Sequence, residues 1–163
     1  MDRKLKSMLD IAIIKAADKV CQTGFGEGQA LETTLTHFSL DHYIGSQMSI
    51  EGQELGFWVF ILTDVHGCRT LANEYIKRNS LGIDDLMPSI DHSDAVGEIL
   101  NIFGGVLCRE LESFDSQLNL GIPMFLEGEP IIPLENDIFS LKYKVMEREI
   151  DFAVSLYNLV KNK

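Results

Sequence analysis

Two runs near the C-terminus restrict the fold more than any other part of the chain. Phe139, Leu141, Tyr143 and Val145 alternate with Ser140, Lys142, Lys144 and Met146. Ile150, Phe152, Val154 and Leu156 alternate with Asp151, Ala153 and Ser155. A period of two is the signature of a strand with one buried face. Only the polar break Glu147-Arg148-Glu149 separates the runs, so they predict an antiparallel hairpin. A second pair points the same way. Tyr43 to Ile50 reads as a strand, and the turn Glu51-Gly52-Gln53 ends it. Phe57 to Thr63 follows and is apolar on both faces, which places it centrally in a sheet. Adjacent hairpins argue for a mostly antiparallel sheet with helices packed on it.

The helices are read from a different period. Leu5, Met8, Leu9, Ala12, Ala16 and Val20 recur at helical spacing and predict a helix over residues 4–21 that stops at Gly24. Gly24-Phe-Gly26-Glu-Gly28 has the look of a dinucleotide loop, but it follows a helix and opens no second one, so it reads as a cap and loop. Asp64 is the N-cap of a helix over 65–79, with Cys68, Leu71, Ala72, Tyr75 and Ile76 on its inner face. The polar segment Ile83 to Asp91 leads into a third helix, with Pro88 in its first turn or Ser93 as its cap, running to about Phe114. Leu118, Leu120 and Ile122 alternate with Gln117, Asn119 and Gly121 as a half-buried strand, and Pro123, Pro130 and Pro133 bracket a connecting loop. The fold class is α+β, in the order α-β-β-α-α-β-β-β, as a single domain over residues 1–163. A strand over Leu31–Thr36 fits the pattern less well and stands outside that order.

A chain of 163 residues can bury a core of its own. Its net charge of −11 and pI near 4.7 argue against nonspecific binding to nucleic acid or anionic membranes. Cys21, Cys68 and Cys108 are odd in number and far apart, with no CxxC pair, which fits a reducing cytoplasm rather than a disulfide framework or zinc ribbon. The N-terminus shows no signal-peptide pattern. The apolar run from Gly56 to Leu62 is far too short to span a bilayer.

The third helix carries the candidate chemistry. At about 100° per residue, Asp94, Glu98, Asn101, Gly105, Cys108 and Glu112 fall on one stripe. Val96, Ile99, Phe103, Val106, Leu107, Leu111 and Phe114 spread over the opposite face, which would dock on a core. Gly105 leaves a gap in the stripe through which another surface could approach. Glycine inside a helix costs about 0.5–1 kcal/mol relative to alanine, and this helix has three, at 97, 104 and 105. Taken alone, an acidic and amide stripe is usually a solvated face. Elsewhere the signals are thinner. His92 could begin a small metal site but reads better as a solvated or capping residue, and His37, His42 and His66 lack ligand spacing. Cys108 lies on the stripe with no basic group evident on that face to make it a thiolate and reads as a small residue at a contact surface, and Trp58 reads as core.

The stripe also resembles a family signature. Asp94-x-x-x-Glu98-x-x-Asn101, then Gly104-Gly105 and Pro123, is similar to the motif of the CheC/CheX/FliY chemotaxis phosphatases. Ile44-Gly-Ser through Gly56-Phe-Trp-Val-Phe, the helix around Ala72-Asn-Glu-Tyr, the segment Leu118 to Pro123 and the hairpin Phe139 to Leu156 extend the resemblance over about residues 5–157. A single Glu-x-x-Asn is present, where CheC has two, so CheX is the nearer likeness. Val106 and Leu107 depart from it, since CheX-type sequences often carry Asn or Ala after the glycine pair. The resemblance implies a CheX-like phosphatase that hydrolyses the aspartyl-phosphate of a CheY-like response regulator. It implies that Asn101 orients the attacking water, that Glu98 pairs with the regulator's active-site lysine, and that Asp94 and Gly105 help docking. It implies that the chain binds no metal or cofactor, because the regulator brings its own Mg²⁺, and that the chain forms a homodimer through sheet elements. The alternatives are a non-catalytic adaptor that uses the same helix to bind a receiver domain or flagellar switch component, and a small-molecule sensor with a closed apolar pocket.

Overall fold

The computed structural model describes residues 3–26, 29–34, 44–79, 92–127 and 138–157. Its elements are helix α1 (Arg3–Val20), strands β1 (Gln29–Thr34), β2 (Ile44–Glu51) and β3 (Gly56–Thr63), helices α2 (Val65–Asn79) and α3 (His92–Glu110), and strands β4 (Asn119–Leu120), β5 (Met124–Glu127), β6 (Ile138–Val145) and β7 (Arg148–Tyr157). Among the described residues all strand pairs are antiparallel, in the order β1-β6-β7-β3-β2-β4, with β5 also on β2. The α+β class and both hairpins are as the sequence implies. The sheet holds two more strands than the expected order, β1 and β5.

Strand β3 is central, between β7 and β2, and it is buried on both faces. Phe57, Val59 and Ile61 point to the helices and join Met48, Ile50, Phe139, Leu141, Tyr143, Ile150, Phe152 and Val154 in the main core. Phe60, Leu62 and Ala153 lie on the far face in a smaller cluster. Each large core side chain withdrawn from water contributes about 1.5–3 kcal/mol before chain entropy is counted. Helix α1 supplies Leu9, Ala12, Ile13, Ala16 and Ala17 to the main core. Tyr143 also donates a hydrogen bond to Asp18, tying β6 to α1. The β6–β7 hairpin turns through Met146 and Glu147, at φ 49° and 64°. Two left-handed residues between the paired Val145 and Arg148 make a two-residue turn whose twist suits the strands.

Several boundaries differ from the sequence reading. The N-terminal helix does not stop at Gly24 but widens into a π-turn over Cys21–Phe25, and Gly26 at φ 75° closes it, since glycine adopts that conformation without steric cost. Helix α3 ends at Glu110 rather than Phe114; beyond it the bonding tightens to three-residue spacing, the Glu112 N–H donating to the Arg109 carbonyl and the Phe114 N–H to the Leu111 carbonyl. The expected half-buried strand over 118–122 is only the two exposed residues of β4, and Ile122 is 83% exposed. The pattern misleads there because the segment lies at the rim of the sheet. Trp58 is half-buried on the far face, tilted against Tyr157, rather than in the main core. Tyr43, the segment Ile83 to Asp91 with Pro88, Gly28, Pro130, Pro133, His37 and His42 lie outside the described residues, as does the end of the strand expected at 35–36. Ser93 sits inside the first turn of α3.

Asp115 fastens the tip of the β2–β3 hairpin to the end of α3. Its Oδ2 accepts the N–H groups of Glu54 (2.7 Å) and Leu55 (3.1 Å), and its Oδ1 accepts that of Gln117 (3.0 Å). Burial alone would raise the pKa of this carboxyl, but the backbone donors, Glu54 first, prevail and hold it below the usual aspartate value. Hydrogen bonds to a charged group contribute about 1.5–3 kcal/mol, so Asp115→Asn should lose about that much in chemical denaturation. Because the native pKa is lowered, the carboxylate's contribution is complete above about pH 4, the ordinary aspartate range. It fades as the pH falls toward the native value. Wild-type protein should therefore lose stability on that acid limb more steeply than Asp115→Asn.

Candidate functional site

Helix α3 forms where helical periodicity and packing agree. Ala95, Val96, Ile99, Leu100, Phe103, Val106 and Leu107 are buried, and the Phe103 ring stacks on Phe152 with centroids 5.2 Å apart. Asp94 in the first turn complements the positive end of the helix. Asp64 caps the neighbouring helix, its carboxylate accepting the Gly67 N–H and its carbonyl the Cys68 N–H. Against α2, Ala95 and Val96 meet Cys68 and Ala72. His92 joins the two helices through Nε2, 3.1 Å from Asn73 Oδ1, which is a structural use rather than a metal one.

The stripe is left on the outside. Asp94 and Glu98 are exposed, and Asn101 and Gly105 are half-buried. Among the described residues neither Glu98 nor Asn101 has a hydrogen-bond or ion-pair partner. A carboxylate and a carboxamide three residues apart thus share one helix face and remain available to a visitor. Burial first, and then the Glu98 charge, raise the pKa of the Tyr75 hydroxyl on α2, which marks α2 as the bank on the Glu98 side. On the Asn101 side runs the chain from β4 to β5, with Leu120 and Pro123 against the helix.

The three helix glycines separate by surroundings. A methyl group on Gly104 would come within 2.6 Å of Met48 Cε and 2.9 Å of Leu120 Cδ2, whereas one on Gly105 would meet nothing within 4 Å. Gly104 therefore lets α3 approach the sheet, and Gly105 keeps the stripe open. Cys108 lies at the edge of the stripe and packs against the core. Burial pushes its thiol up to about 11, so it is protonated near neutrality.

A cleft of about 360 Å³ lies at the N-terminal ends of α2 and α3, lined by Ile44, Val65, Arg69, His92, Phe125 and Glu127 among others. It is open and partly charged, unlike the closed apolar pocket a small-molecule sensor would need. No helix of the described residues is long and apolar enough to cross a membrane. The stripe residues were legible in the sequence. The wall formed by Leu120 and Pro123 was not, although Pro123 ends the sequence motif and the apolar Met124-Phe125-Leu126 after it is a signal for an edge strand.

No protein-family model matches the chain, and no curated protein matches it. Solved structures do. A chemotaxis protein CheX from Desulfovibrio desulfuricans superposes with a TM-score of 0.71 at 14% identity, covering 91% of this chain and 99% of that one. A CheX–CheY–BeF3–Mg²⁺ complex from Borrelia burgdorferi matches with a TM-score of 0.62 at 16% identity, covering 90% and 96%. The FliM middle domain from H. pylori matches with a TM-score of 0.61 at 12% identity, covering 97% and 91%. The chain has the CheC/CheX-like fold, in agreement with the resemblance carried by its sequence.

The neighbouring glycines give opposite expectations. Gly105→Ala gains helix propensity in open space and should stabilise the protein by about 0.5–1 kcal/mol. Gly104→Val adds volume to a filled contact and should destabilise it by about 1–3 kcal/mol. Thermal and denaturant unfolding of the two variants checks the difference in sign.

Proposed function

We propose that this protein dephosphorylates the aspartyl-phosphate of a CheY-like response regulator docked on α3. The observation that carries the reading is the pair Glu98 and Asn101, without a hydrogen-bond or ion-pair partner among the described residues, on the stripe kept open by Gly105. One of the similar structures is a CheX in complex with CheY, BeF3 and Mg²⁺, which supports a receiver domain as the partner.

The chemistry suits these side chains. Hydrolysis of an acyl phosphate needs a water held in line with the phosphorus, and such transfers are catalysed mainly by positioning and charge stabilisation. A carboxamide can hold that water by accepting one hydrogen bond and donating another. It brings no negative charge beside the phosphoryl group, whereas a carboxylate in its place would repel it. Asn101 takes this role. Glu98, a turn away and fully outside, pairs with the lysine of the regulator's active site and fixes the depth of docking. The regulator supplies Mg²⁺ and the phosphorylated aspartate. Asp94 adds charge at the entrance, and Gly105 admits the partner's rim. Two copies of the chain joined through sheet elements complete the proposal, with the cytoplasm as its setting.

The rival reading is an adaptor that binds a receiver or switch component without turnover, and the likeness to the FliM middle domain speaks for it. The amide favours catalysis, since docking alone has little use for a water-orienting group.

The test is the decay of phosphorylated receiver domains with and without the protein. Acceleration by wild type, with Asn101→Ala at least about 100-fold slower, is the expected result, in line with loss of a positioned polar group at a reacting centre. Asn101→Ala should still bind the BeF3-loaded receiver, and Glu98→Lys should weaken that binding at least about tenfold by facing a lysine with a lysine. Both variants should keep wild-type stability within about 0.5 kcal/mol, as surface positions do. Binding without any acceleration would leave the adaptor.

A further inference from the structure

Asn101 is half-buried while Glu98 is exposed, and the chain from β4 to β5 runs along the Asn101 side of α3. On the helical wheel Gly97 and Gly104 lie within about 60° of Asn101, on one side of α3. A methyl group on Gly97 would be 3.3 Å from Pro123 Cβ, and one on Gly104 would be 2.9 Å from Leu120 Cδ2. Residues 120–123 therefore run antiparallel to the helix from Gly104 back to Gly97. The lengths agree: seven helical residues rise about 10.5 Å, and three extended steps cover about 10 Å. By helical rise Asn101 stands level with the middle of that segment, at the height of Gly121 and Ile122.

The segment is anchored on its other edge. The Gly121 N–H donates to the Ser49 carbonyl at 2.8 Å, and Ser46 Oγ donates to the Met124 carbonyl at 3.2 Å. Pro123 adds a fixed φ at the point of contact with Gly97. The segment is thus hydrogen-bonded to β2 on one edge and meets α3 at two side-chain-free positions on the other.

We infer that Gly97 and Pro123 are positioning residues for the Asn101 carboxamide, the close Gly97–Pro123 contact holding the β4–β5 segment as a wall that restricts the amide to one orientation. The catalytic part of this inference rests on the phosphatase reading; the restriction of the amide does not. Neither residue touches the phosphoryl group. They act by removing conformations of Asn101 that would have to be lost at the moment of reaction. A few tenths of an ångström of outward movement, which a Cβ at position 97 requires, is enough to loosen the fit.

Two measurements test it. The first is ¹⁵N relaxation of the Asn101 side-chain amide, identified by its absence in Asn101→Ala. It should be as restrained as the backbone in wild type and mobile in Pro123→Gly. An amide already mobile in wild type overturns the inference, whatever the activity. The second is turnover against affinity. Gly97→Ala should lower the dephosphorylation rate at saturating protein about tenfold and leave affinity for the BeF3-loaded receiver within about twofold. Pro123→Gly should do likewise, and in the double variant the two losses should not multiply, because both act through one contact. Wild-type turnover in Gly97→Ala, or a loss seen only in affinity, overturns the inference. If Gly97→Ala does not fold, Pro123→Gly decides alone, since it removes atoms and adds no overlap. A restrained amide in a protein without phosphatase activity would sink the functional reading and keep the positioning one.

Discussion

Helix α3 approaches the sheet so closely that a methyl group at Gly104 has no room and one at Gly97 would crowd Pro123, and the site depends on that approach. Van der Waals contact between Phe103 and Phe152, and between the glycine backbone and Met48, fixes both the height and the rotation of the helix. Once rotation is fixed, the outward residues follow from the helical period. Glu98 and Asn101 stand outside the apolar core, and among the described residues neither is a partner of a buried polar group. They are thus available for recognition at no expense to the fold. The apolar side of the same helix is where stability resides.

The fold by itself does not select a function. Structures titled as CheX, as a CheX–CheY complex and as the FliM middle domain all superpose on this chain at identities of 12–16%. A shared scaffold with different tasks is common, and the task is argued from the site. On the proposed reading, a neutral half-buried amide one turn from an exposed carboxylate is suited to holding water near a phosphorylated carboxylate. A surface used for adhesion alone has no comparable need for it.

Much of this was legible in the residues. The period-two runs at 139–145 and 150–156 fixed a hairpin, and the doubly apolar run at 57–63 became the central strand. The stripe on α3 came from a single angular period. What escaped was decided by tertiary surroundings. Leu120 and Ile122 look like core residues in a list and stand at a rim. Trp58 has an apolar sequence context yet faces the other way, because neighbouring residues of a strand point to opposite faces. Met124 to Glu127 followed a proline and read as loop, although proline is tolerated at the start of an edge strand. Nothing local to Gly97, Gly104 or Gly105 tells which of them is packed and which is open; that depends on Met48, Leu120 and Pro123, which come from other elements.

Strand pairing across the sheet joins distant parts of the chain: Gln29 lies opposite Lys144, and Phe57 opposite Leu156. Closure of such long loops must precede most of the stabilising contacts, which makes the acquisition of this topology slow compared with a helical bundle of equal size. The α3 surface therefore matures late during synthesis. It rests on β2 and on Phe152 of β7, which is made well after α3 itself. A nascent chain halted before the β6–β7 hairpin would lack Phe152, the ring on which Phe103 stacks, and would carry α3 without that support.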